Sequence, residues 1–409
     1  MISVDEAISR ILATIQPLPL CRMPTADAEG YVLGEPITSD LDSPPYDKAM
    51  VDGFAVVSDE MRHGPAVLTI LEEVTAGEVP QHEVEPGGAT RIMTGAPLPQ
   101  GADGVVMVER TELLPGEASR PERVRILQSP VKQGSNVLRR ATVLARGDVV
   151  LHRGALIRPV EVGLLMEVGR TEVSVMPRPT VAILSTGNEL VPPDEFPGPG
   201  QIRNSNGPML QAAVRRRRAK ARSLGIAPDE RPALRAAIER GLREADVLLI
   251  SGGVSAGVLD LVPGVLDELG VSEVFHKVRI KPGKPLWFGT KLTAESNKLV
   301  FGLPGNPVSG LVCFELFVRP AIDRLAGRPD HASRPVRARL SSAHHQHGDR
   351  PTYYPAILKQ GDEEPSVEPV AWRGSADLRS VTLANSLACF PAGDRDFSAG
   401  DRIDVLPLI

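Results

Sequence analysis

Apolar and polar positions follow different patterns in different parts of the chain. Between residues 41 and 141, apolar residues stand in short runs separated by glycine and proline, as in GFAVV, AVLTILEEV, GATRIM, GVVMVE and RVRIL. Short apolar runs with turn residues between them are typical of strands. We therefore predict a β-rich domain over 41–141.

From residue 177 to residue 327, apolar runs alternate with amphipathic stretches. The runs predict strands at 180–185, 246–250 and 298–302. One helix is expected through DERPALRAAIERGLRE with Asp229 as its N-cap, and a last helix is expected from Asn306-Pro307 to about Gly327. This alternation favours a doubly wound α/β domain.

The two ends of the chain differ from the central part. Residues 1–20 have the pattern of an amphipathic helix and lack a basic leader before an apolar run, so we expect a helix packed on the α/β domain. After residue 328 short strands return in VRARL, YYPAIL, LACFPAG and RIDVLPLI, which predicts a small β-barrel or sandwich. The predicted fold is multidomain, α/β plus β.

Composition narrows the classes of function. The 409 residues carry a net charge of −5, which argues against nucleic acid or an anionic membrane as a partner. Cys21, Cys313 and Cys389 are too few and too scattered for a disulfide framework or a zinc site. No apolar run approaches the ~20 residues of a membrane span. We expect a soluble, cytoplasmic protein.

Three polar, glycine-containing loops follow the three predicted strands. They are Ser185-Thr186-Gly187-Asn188-Glu189, then Ser251–Gly257 with Asp260 beyond it, and then Pro304-Gly305-Asn306-Pro307. None is a Walker A loop or a dinucleotide-binding fingerprint. Ligands of open α/β sheets lie beyond the carboxyl ends of strands, and helix N-termini favour anions. Three such loops at one edge predict a phosphate-containing ligand.

A basic turn, FHKVRIKPGKPLWFG, adds positive charge through Lys277, Lys281 and Lys284. Lysines held by a proline-stiffened turn suit an oxyanion such as phosphate or molybdate, and a solvated basic hairpin is the alternative. The same domain carries carboxylates that suit Mg²⁺ bridging phosphate oxygens. They are Glu189, Asp229 and Asp260, each of which could instead be a helix cap or a surface charge.

Three other features carry weaker expectations. The arginine run 215–218 favours a solvated helix end over contact with nucleic acid. His344, His345 and His347 stand in a polar, loop-like stretch without the spacing of a dedicated metal site. Cys313 is expected in the core of the last helix.

Several segments together resemble the MoeA family of molybdopterin molybdenumtransferases. In chain order they are PPYDKAMVDGFAV, IMTGAPLPQGADGVVMVE, STGNEL, SGGVSAG, IKPGKP and GLPGNPVSG, and the tail GSADLRSVTLANSLACFPAG resembles the family's C-terminal domain. The resemblance implies an elongated four-domain homodimer. Its parts would be an N-terminal helix (1–20), a linker and dimerisation domain (21–40 and 142–176), a β-rich domain (41–141), an α/β molybdopterin-binding domain (177–327) and a C-terminal β-barrel (328–409).

The resemblance also implies a reaction. The enzyme would take adenylylated molybdopterin and molybdate, use Mg²⁺, insert the metal into the dithiolene and release AMP, with a molybdopterin adenylyltransferase as a further expected partner. Substrate-binding residues would be Thr94, Thr186, Gly187, Ser251, Gly252, Gly253, Ser255, Pro304, Gly305 and Asn306.

Further roles follow from the same resemblance. Molybdate would bind Lys284, Ser309 and Arg350. Mg²⁺ would bind Glu189, Asp229 and Asp260, which are catalytic together with Asp52, Lys277 and Lys281. The last two lysines would offset developing negative charge. In the family, the residues at Asp52 and Thr94 reach the cleft from the partner subunit.

This chain departs from the family pattern at three places. In GSNVLRRATVLARGDVV, Leu138 stands where the family has Arg, and Ala141-Thr142-Val143 stand where it has Gly-Glu-Asp. After Arg350, Pro355 replaces a second Arg, and Asn204 stands where Asp is common. Nearby residues that could compensate for the first change are Arg139, Arg140 and Asp148.

Two alternatives to the transferase stay open at this point. The departures are compatible with a catalytically weakened paralogue that binds or scaffolds pterin intermediates. The α/β domain would also suit a molybdopterin adenylyltransferase. That class tends to end its loop in Gly-Gly-Thr-Gly, where this chain has Gly-Gly-Val-Ser, and it lacks the β-rich and C-terminal domains.

Overall fold

The computed structural model of the chain describes residues 1–62, 64–116, 122–254, 261–293, 296–328, 335–361 and 364–408. Two compact units divide the chain. The first unit comprises Met1–Gly34, Gly154–Arg158 and Glu172–Ile409, and the second comprises Glu35–Arg153 and Pro159–Thr171.

A six-stranded sheet forms the centre of the first unit. Its strands lie in the order Lys220–Ala227, Thr180–Thr186, Val247–Ser251, Asn297–Leu303, Trp287–Leu292 and Ser272–His276. The first four are parallel, and Trp287–Leu292 runs antiparallel to its neighbours. After Thr180–Thr186 the chain first adds Lys220–Ala227 on one side of that strand and then Val247–Ser251 on its other side. The topological switch point therefore lies between Thr180–Thr186 and Val247–Ser251.

Helices cover both faces of this sheet. Val4–Ala13, Asn206–Arg216 and the helical run beginning at Pro307 pack on one face, while Arg231–Glu244 and Val262–Glu268 pack on the other. The three inner parallel strands, Thr180–Thr186, Val247–Ser251 and Asn297–Leu303, are mostly buried, as strands covered on both faces are, while the edge strand Lys220–Ala227 is largely exposed. The predicted doubly wound α/β architecture is confirmed.

The prediction of Asp229 as a helix N-cap is wrong. The helix begins at Arg231, so its capping position is Glu230, whose side chain makes no capping hydrogen bond. Pro232 occupies the second helical position, which shifts the cap one residue later than the sequence pattern indicated. The Asp229 amide instead donates to Asn188 Oδ1 at 3.0 Å, which ties the residue to the loop after the first strand.

The last helix begins at Pro307 as predicted, but it is not continuous. It comprises Pro307–Cys313, a π-helical turn at Phe314–Val318 and Arg319–Leu325. Pro320 has no N–H to give the preceding turn and its ring crowds the carbonyl four residues earlier, which favours a local widening of the helix. Cys313 is buried, as expected.

A closed five-stranded barrel completes the first unit, which confirms the C-terminal prediction. Its strands lie in the order Val336–Leu340, Ser366–Pro369, Thr352–Lys359, Ser386–Phe390 and Arg402–Pro407, with the short helix Leu378–Val381 beside them. Smaller pairings in this unit join Cys21–Pro24 and Val32–Leu33 to Glu172–Met176, Leu190–Val191 to Ile202–Arg203, and His344–Gln346 to Arg395–Phe397.

The second unit is β-rich. A six-stranded sheet has the order Gly104–Met107, Gly53–Val56, Gly88–Ile92, Ala66–Val74, Arg123–Ile126 and Thr111–Leu114. Two strand pairs, Lys48–Ala49 with Val137–Leu138 and Ile37–Thr38 with Val149–Leu151, and the helix Pro159–Glu167 complete it. All five predicted apolar runs are strands. The exact boundaries of the four-domain division stay a prediction.

Two expectations about polar residues need correction. The arginine run is a solvated helix end at Arg215, Arg216 and Arg218, which are exposed as expected, although Arg218 pairs with Glu29. The expectation is wrong for Arg217, which is partly buried and whose Nη2 lies 2.7 Å from the buried Asp323 carboxylate. The histidine stretch is a strand of a two-stranded ribbon rather than a loop. Within the described ranges, no group of three or more metal-ligating side chains converges. No described helix has the length and apolar character to cross a membrane.

Candidate functional site: two adjoining clefts

The carboxyl edge of the sheet carries a cleft of about 350 Å³, called here the edge cleft. Ser185, Ser251 and Leu303 are in register on three adjacent parallel strands, and the first strand ends one residue later at Thr186, so the loops that follow start side by side. The edge cleft is lined by Thr186, Glu189, Leu190, Ile202, Arg203, Asn204, Ser205, Asn206, Ser251, Gly252, Gly305, Asn306 and Pro307.

Glycine lets these loops approach one another closely. The Gly252 amide donates to Leu303 O at 3.1 Å, and Gly252 has a φ of +96°. A Cβ at this position would lie 2.5 Å from Thr186 O, and one at Gly305 would already touch the Gly252 Cα at 3.8 Å. A side chain on the middle loop would therefore push the three loops apart.

Gly187 likewise leaves room for the carboxylate of Glu189. Its φ is +145°, and a Cβ there would overlap the carboxylate of Glu189. The Glu189 side chain can therefore fold back over the loop and line the edge cleft. The sequence predicted this arrangement, in which the Glu189 carboxylate lies beside loops that suit a phosphate group.

Asn204, one of the departures from the family pattern, is buried beside the edge cleft. Its Oδ1 accepts hydrogen bonds from Ser185 Oγ at 3.1 Å and from the Gly207 amide at 3.0 Å. Both are bonds that a carboxylate oxygen would also accept. The amide keeps the start of helix Asn206–Arg216 in place without the charge.

A second cleft of about 520 Å³, the lysine cleft, opens beside the basic turn. It brings together Lys281 and Lys284 of the predicted basic turn with Ser309 and Arg350, which the family resemblance implied, with Lys284, as molybdate ligands. The remaining lining residues are Pro282, Gly283, Pro285, Tyr354, Trp372, Gly374 and Ser375. Two lysines and an arginine around one space favour an anionic occupant.

The two clefts share the first turn of one helix. Asn306 and Pro307 line the edge cleft, and Ser309 lines the lysine cleft. The Val308 amide between them donates to Ser375 O at 3.0 Å, which fixes this turn against the loop on the far wall of the lysine cleft. Ligands in the two clefts would therefore be neighbours.

Backbone contacts hold the basic turn between the last helix and the barrel. The Lys281 amide donates to Pro351 O at 2.9 Å, and the Tyr353 amide donates to Lys281 O at 2.8 Å. On the other side, a Cβ at Gly283 would lie 2.7 Å from Cys313 Sγ. The turn is thus a fixed support for its lysines and not a free hairpin.

Other predicted residues are not among those lining either cleft. Lys277 has a φ of +71° and its amide donates to Leu286 O at 2.8 Å, while Asp229 lies against Asn188. Gly253 and Pro304 belong to the loops without lining the edge cleft, and Gly253 has a φ of +65°. Ser255 and Asp260 lie outside the described residues.

Asp52 and Thr94 belong to the second unit, where they bond to each other. Asp52 Oδ1 accepts from both the hydroxyl and the amide of Thr94 at 2.7 Å. The hydroxyl first and then the amide hold the pKa of the Asp52 carboxyl below its usual value. The two hydrogen bonds therefore favour the charged carboxylate and fix its orientation.

The segment that departs most from the family pattern also lies in the second unit. Leu138 pairs with Lys48 in a short ribbon, and Val143 is 64% exposed. The residues that could compensate are engaged locally: Arg139 pairs with Asp47, Arg140 pairs with Asp42, and Asp148 accepts from the Ala145 amide.

Sequence reasoning missed several residues that line the clefts. Asn206 stands two residues after the departure at Asn204, and its place at the start of a helix is the signal that could have indicated it. Tyr354, Trp372 and Ser375 come from the C-terminal domain, in which the family resemblance had implied a site role for Arg350 alone.

Comparisons with known proteins agree with this geometry along the whole chain. Residues 2–169 match the MoeA N-terminal region (domains I and II), residues 182–324 match a probable molybdopterin-binding domain, and residues 337–408 match the MoeA C-terminal region (domain IV). A molybdopterin molybdenumtransferase of Staphylococcus epidermidis is 30% identical, over 99% of this chain and 95% of that protein. One of Staphylococcus aureus is 29% identical over the same shares.

Solved structures give the same result. A molybdopterin biosynthesis MoeA protein from Pyrococcus horikoshii superposes with a TM-score of 0.85 at 30% identity, covering 100% of this chain and 99% of that one. A molybdenum cofactor biosynthesis protein from Pyrococcus furiosus shares the fold, with a TM-score of 0.59 at 19% identity and coverage of 99% and 98%. The chain therefore belongs to the MoeA family of molybdopterin molybdenumtransferases, which are transferases of molybdenum cofactor biosynthesis.

Proposed function

We propose that the protein inserts molybdenum from molybdate into adenylylated molybdopterin, with Mg²⁺ as cofactor and AMP as the released product. The observation that carries this proposal is the pair of adjoining clefts on one helical turn. Such a pair lets an oxyanion and a phosphate-linked pterin bind next to each other, which is the proximity that a transfer between them requires.

The edge cleft is the proposed site of the adenylylated pterin. Its loops end parallel strands at a switch point, where backbone N–H groups can approach phosphate oxygens. Gly252 and Gly305 leave room for that approach, and Thr186 and Ser251 add hydroxyls. Ser255 would extend the same loop.

Mg²⁺ fits the donors of this cleft. The ion is typically bound by one or two carboxylates, with substrate phosphate oxygens and water as the other ligands. Glu189 supplies one carboxylate in the edge cleft, and Asp229 and Asp260 are the other proposed ligands. When bound, Mg²⁺ would neutralise charge on the pyrophosphate as AMP departs.

The lysine cleft is the proposed molybdate site. Lys284, Ser309 and Arg350 would bind the oxyanion, and Lys281 would stabilise negative charge that develops during transfer. Lys277 would add to this charge from the same turn. In a homodimer, Asp52 and Thr94 would complete the site from the partner subunit, and an adenylyltransferase would deliver the substrate in the cytoplasm.

The test is AMP release from adenylylated molybdopterin with Mg²⁺, with and without molybdate. We expect release that depends on molybdate and falls at least tenfold in Glu189→Gln, because the variant loses the charged oxygen beside the pyrophosphate. Glu195→Gln, an exposed glutamate on the same segment, is the matched control and is expected to retain activity.

The comparisons do not favour the weakened paralogue, and the same experiment separates it from the transferase. Bound Mg²⁺ and molybdate together are expected to raise Tm, since ligands of the native state stabilise it by mass action. No AMP release from a protein that still binds the adenylylated pterin would contradict the proposed reaction.

A further inference from the structure

The amide of Asn206 joins two of the three loops of the edge cleft. Its Nδ2 donates to Ser251 Oγ at 2.9 Å and to Gly305 O at 2.7 Å. Since Gly305 O can only accept, the side chain cannot be turned round without setting two carbonyl oxygens against each other. Both donor hydrogens of Asn206 are therefore used inside the protein.

The other end of the same amide has no hydrogen-bond partner. Asn206 Oδ1 is buried and unpaired, and it belongs to a residue that lines the edge cleft. Thr186 Oγ1, from a side chain that is 2% exposed and lines the same cleft, is also buried and unpaired. A buried polar atom without a partner is destabilising, so two in one cleft indicate a ligand that pairs with them.

The chemistry of the Asn206 amide oxygen indicates which part of the ligand would lie beside it. An amide oxygen only accepts, so it repels phosphate oxygens and pairs with N–H groups. The acidic Glu189 lines the same cleft, and of the described residues that line it only Arg203 is cationic, with its Nε donating to Glu195 O at 3.0 Å. This part of the cleft therefore suits a neutral ring with an amino group, while the glycine loops remain for phosphate.

We propose that Asn206 is a specificity-determining residue whose Oδ1 accepts a hydrogen bond from an amino N–H of a nitrogen heterocycle bound in the edge cleft. The inference rests on the proposed function for the identity of the ligand, in which both the pterin and the adenine carry such an amino group. Its Nδ2 meanwhile keeps the Ser251 and Gly305 loops at the spacing that this ring requires.

The test compares ligand pairs that differ in the amino group. AMP is compared with IMP, which lacks the adenine amino group, and pterin is compared with lumazine, which lacks the pterin amino group. Affinities are measured by calorimetry on the full chain without Mg²⁺ or molybdate. In the wild type we expect one pair to differ by about tenfold, the worth of one hydrogen bond to a buried acceptor.

The variants then show whether Asn206 is the acceptor. In Asn206→Ala the same pair is expected to bind within twofold of each other, because the amide oxygen that accepts from the amino group is gone. Asn297→Ala is the matched control, because Asn297 donates to Thr14 O at the opposite end of its strand. The responding pair identifies whether adenine or pterin lies over Asn206.

Three results would overturn the proposal. They are no preference within either pair in the wild type, a preference that survives Asn206→Ala, and no measurable binding of any of the four ligands. If Asn206→Ala does not fold, Asn206→Leu, which keeps a side chain of similar volume without the amide oxygen, decides in the same way: loss of the preference supports the proposal and a retained preference contradicts it. Because no reaction is assayed, a failure of AMP release would leave this result independent.

Discussion

At the scale of the residue, the position of the Glu189 carboxylate depends on the absence of a side chain at Gly187. Gly187→Ala places a Cβ against Glu189 at a φ of +145°. We expect kcat/KM for AMP release to fall at least tenfold, because the carboxylate is displaced, and the free energy of unfolding to fall by about 1–2 kcal/mol. Steady-state kinetics and urea unfolding measure the two effects.

Gly225→Ala provides the matched control for this prediction. Gly225 has a φ of +83° in the same domain, and a Cβ there meets nothing within 4 Å. The two variants are expected to lose similar stability, and only Gly187→Ala to lose activity. Equal losses of activity in both would show that backbone strain, and not the Glu189 carboxylate, is what matters.

Individual residues were predictable from sequence where a local motif defined them. The loop residues Thr186, Gly187, Ser251 and Gly252 follow apolar runs whose ends are clear in the sequence, and Thr186, Ser251 and Gly252 line the edge cleft together. Trp372 could not be predicted in this way. It reaches the lysine cleft only because the barrel folds back on the basic turn, and that contact joins parts of the chain about 90 residues apart.

At the scale of the element, the last helix supports both clefts and contains a buried ion pair. Arg319 Nη1 lies 3.0 Å from Glu315 Oε2, and the side chains are 1% and 7% exposed. Burial raises the pKa of Glu315, and Arg319 opposes that shift. The sequence pattern predicted the start of this helix but not its π turn. Apolar positions indicate which face of a helix is buried, but they do not show where a backbone carbonyl lacks an N–H partner.

Removing one partner of this pair is expected to destabilise the helix strongly. Arg319→Met leaves Glu315 buried without its paired cation, with Arg216 and Arg217 as the remaining positive charges that act on it, and losing one partner costs about 3–5 kcal/mol in comparable pairs. Urea unfolding at pH 8 measures the loss. Glu315→Leu combined with Arg319→Met, which removes both charges, is expected to recover most of it.

The pH dependence of Arg319→Met follows from the same argument. A raised carboxyl pKa means that the folded state prefers the protonated acid, so its destabilisation is greatest at high pH and fades as pH falls. We expect the difference from the wild type to shrink between pH 8 and pH 5. A pH-independent difference, or one under 1 kcal/mol, would contradict a buried charge as its cause.

At the scale of the whole molecule, the sequence predicted architecture better than boundaries. The class of fold was predicted correctly for each part of the chain: the α/β domain from alternating strands and helices, and the β-rich domain and the C-terminal barrel from short apolar runs. These predictions succeeded because the spacing of apolar residues follows which positions are buried. The division into two compact units follows chain crossings after residues 34, 153, 158 and 171, which no local pattern marks.

The proposed homodimer predicts that two inactive variants restore activity when they are combined in one dimer. If Asp52 serves the partner's site, Asp52→Ala and Lys281→Ala are each inactive as homodimers. A heterodimer of the two variants has one site with both residues intact and is expected to regain about half of the wild-type activity. Differently tagged chains, purified through both tags, supply the sample, and an inactive heterodimer would show that Asp52 acts within its own chain.

The most direct test of the account is the molybdate dependence of AMP release in Lys284→Ala, with Lys291→Ala as the control lysine outside both clefts. If molybdate binds in the lysine cleft beside a pterin in the edge cleft, half-saturating molybdate rises at least tenfold in Lys284→Ala. The KM for adenylylated molybdopterin then changes less than twofold. An unchanged molybdate dependence with a raised KM for the pterin substrate would contradict the assignment of the two clefts.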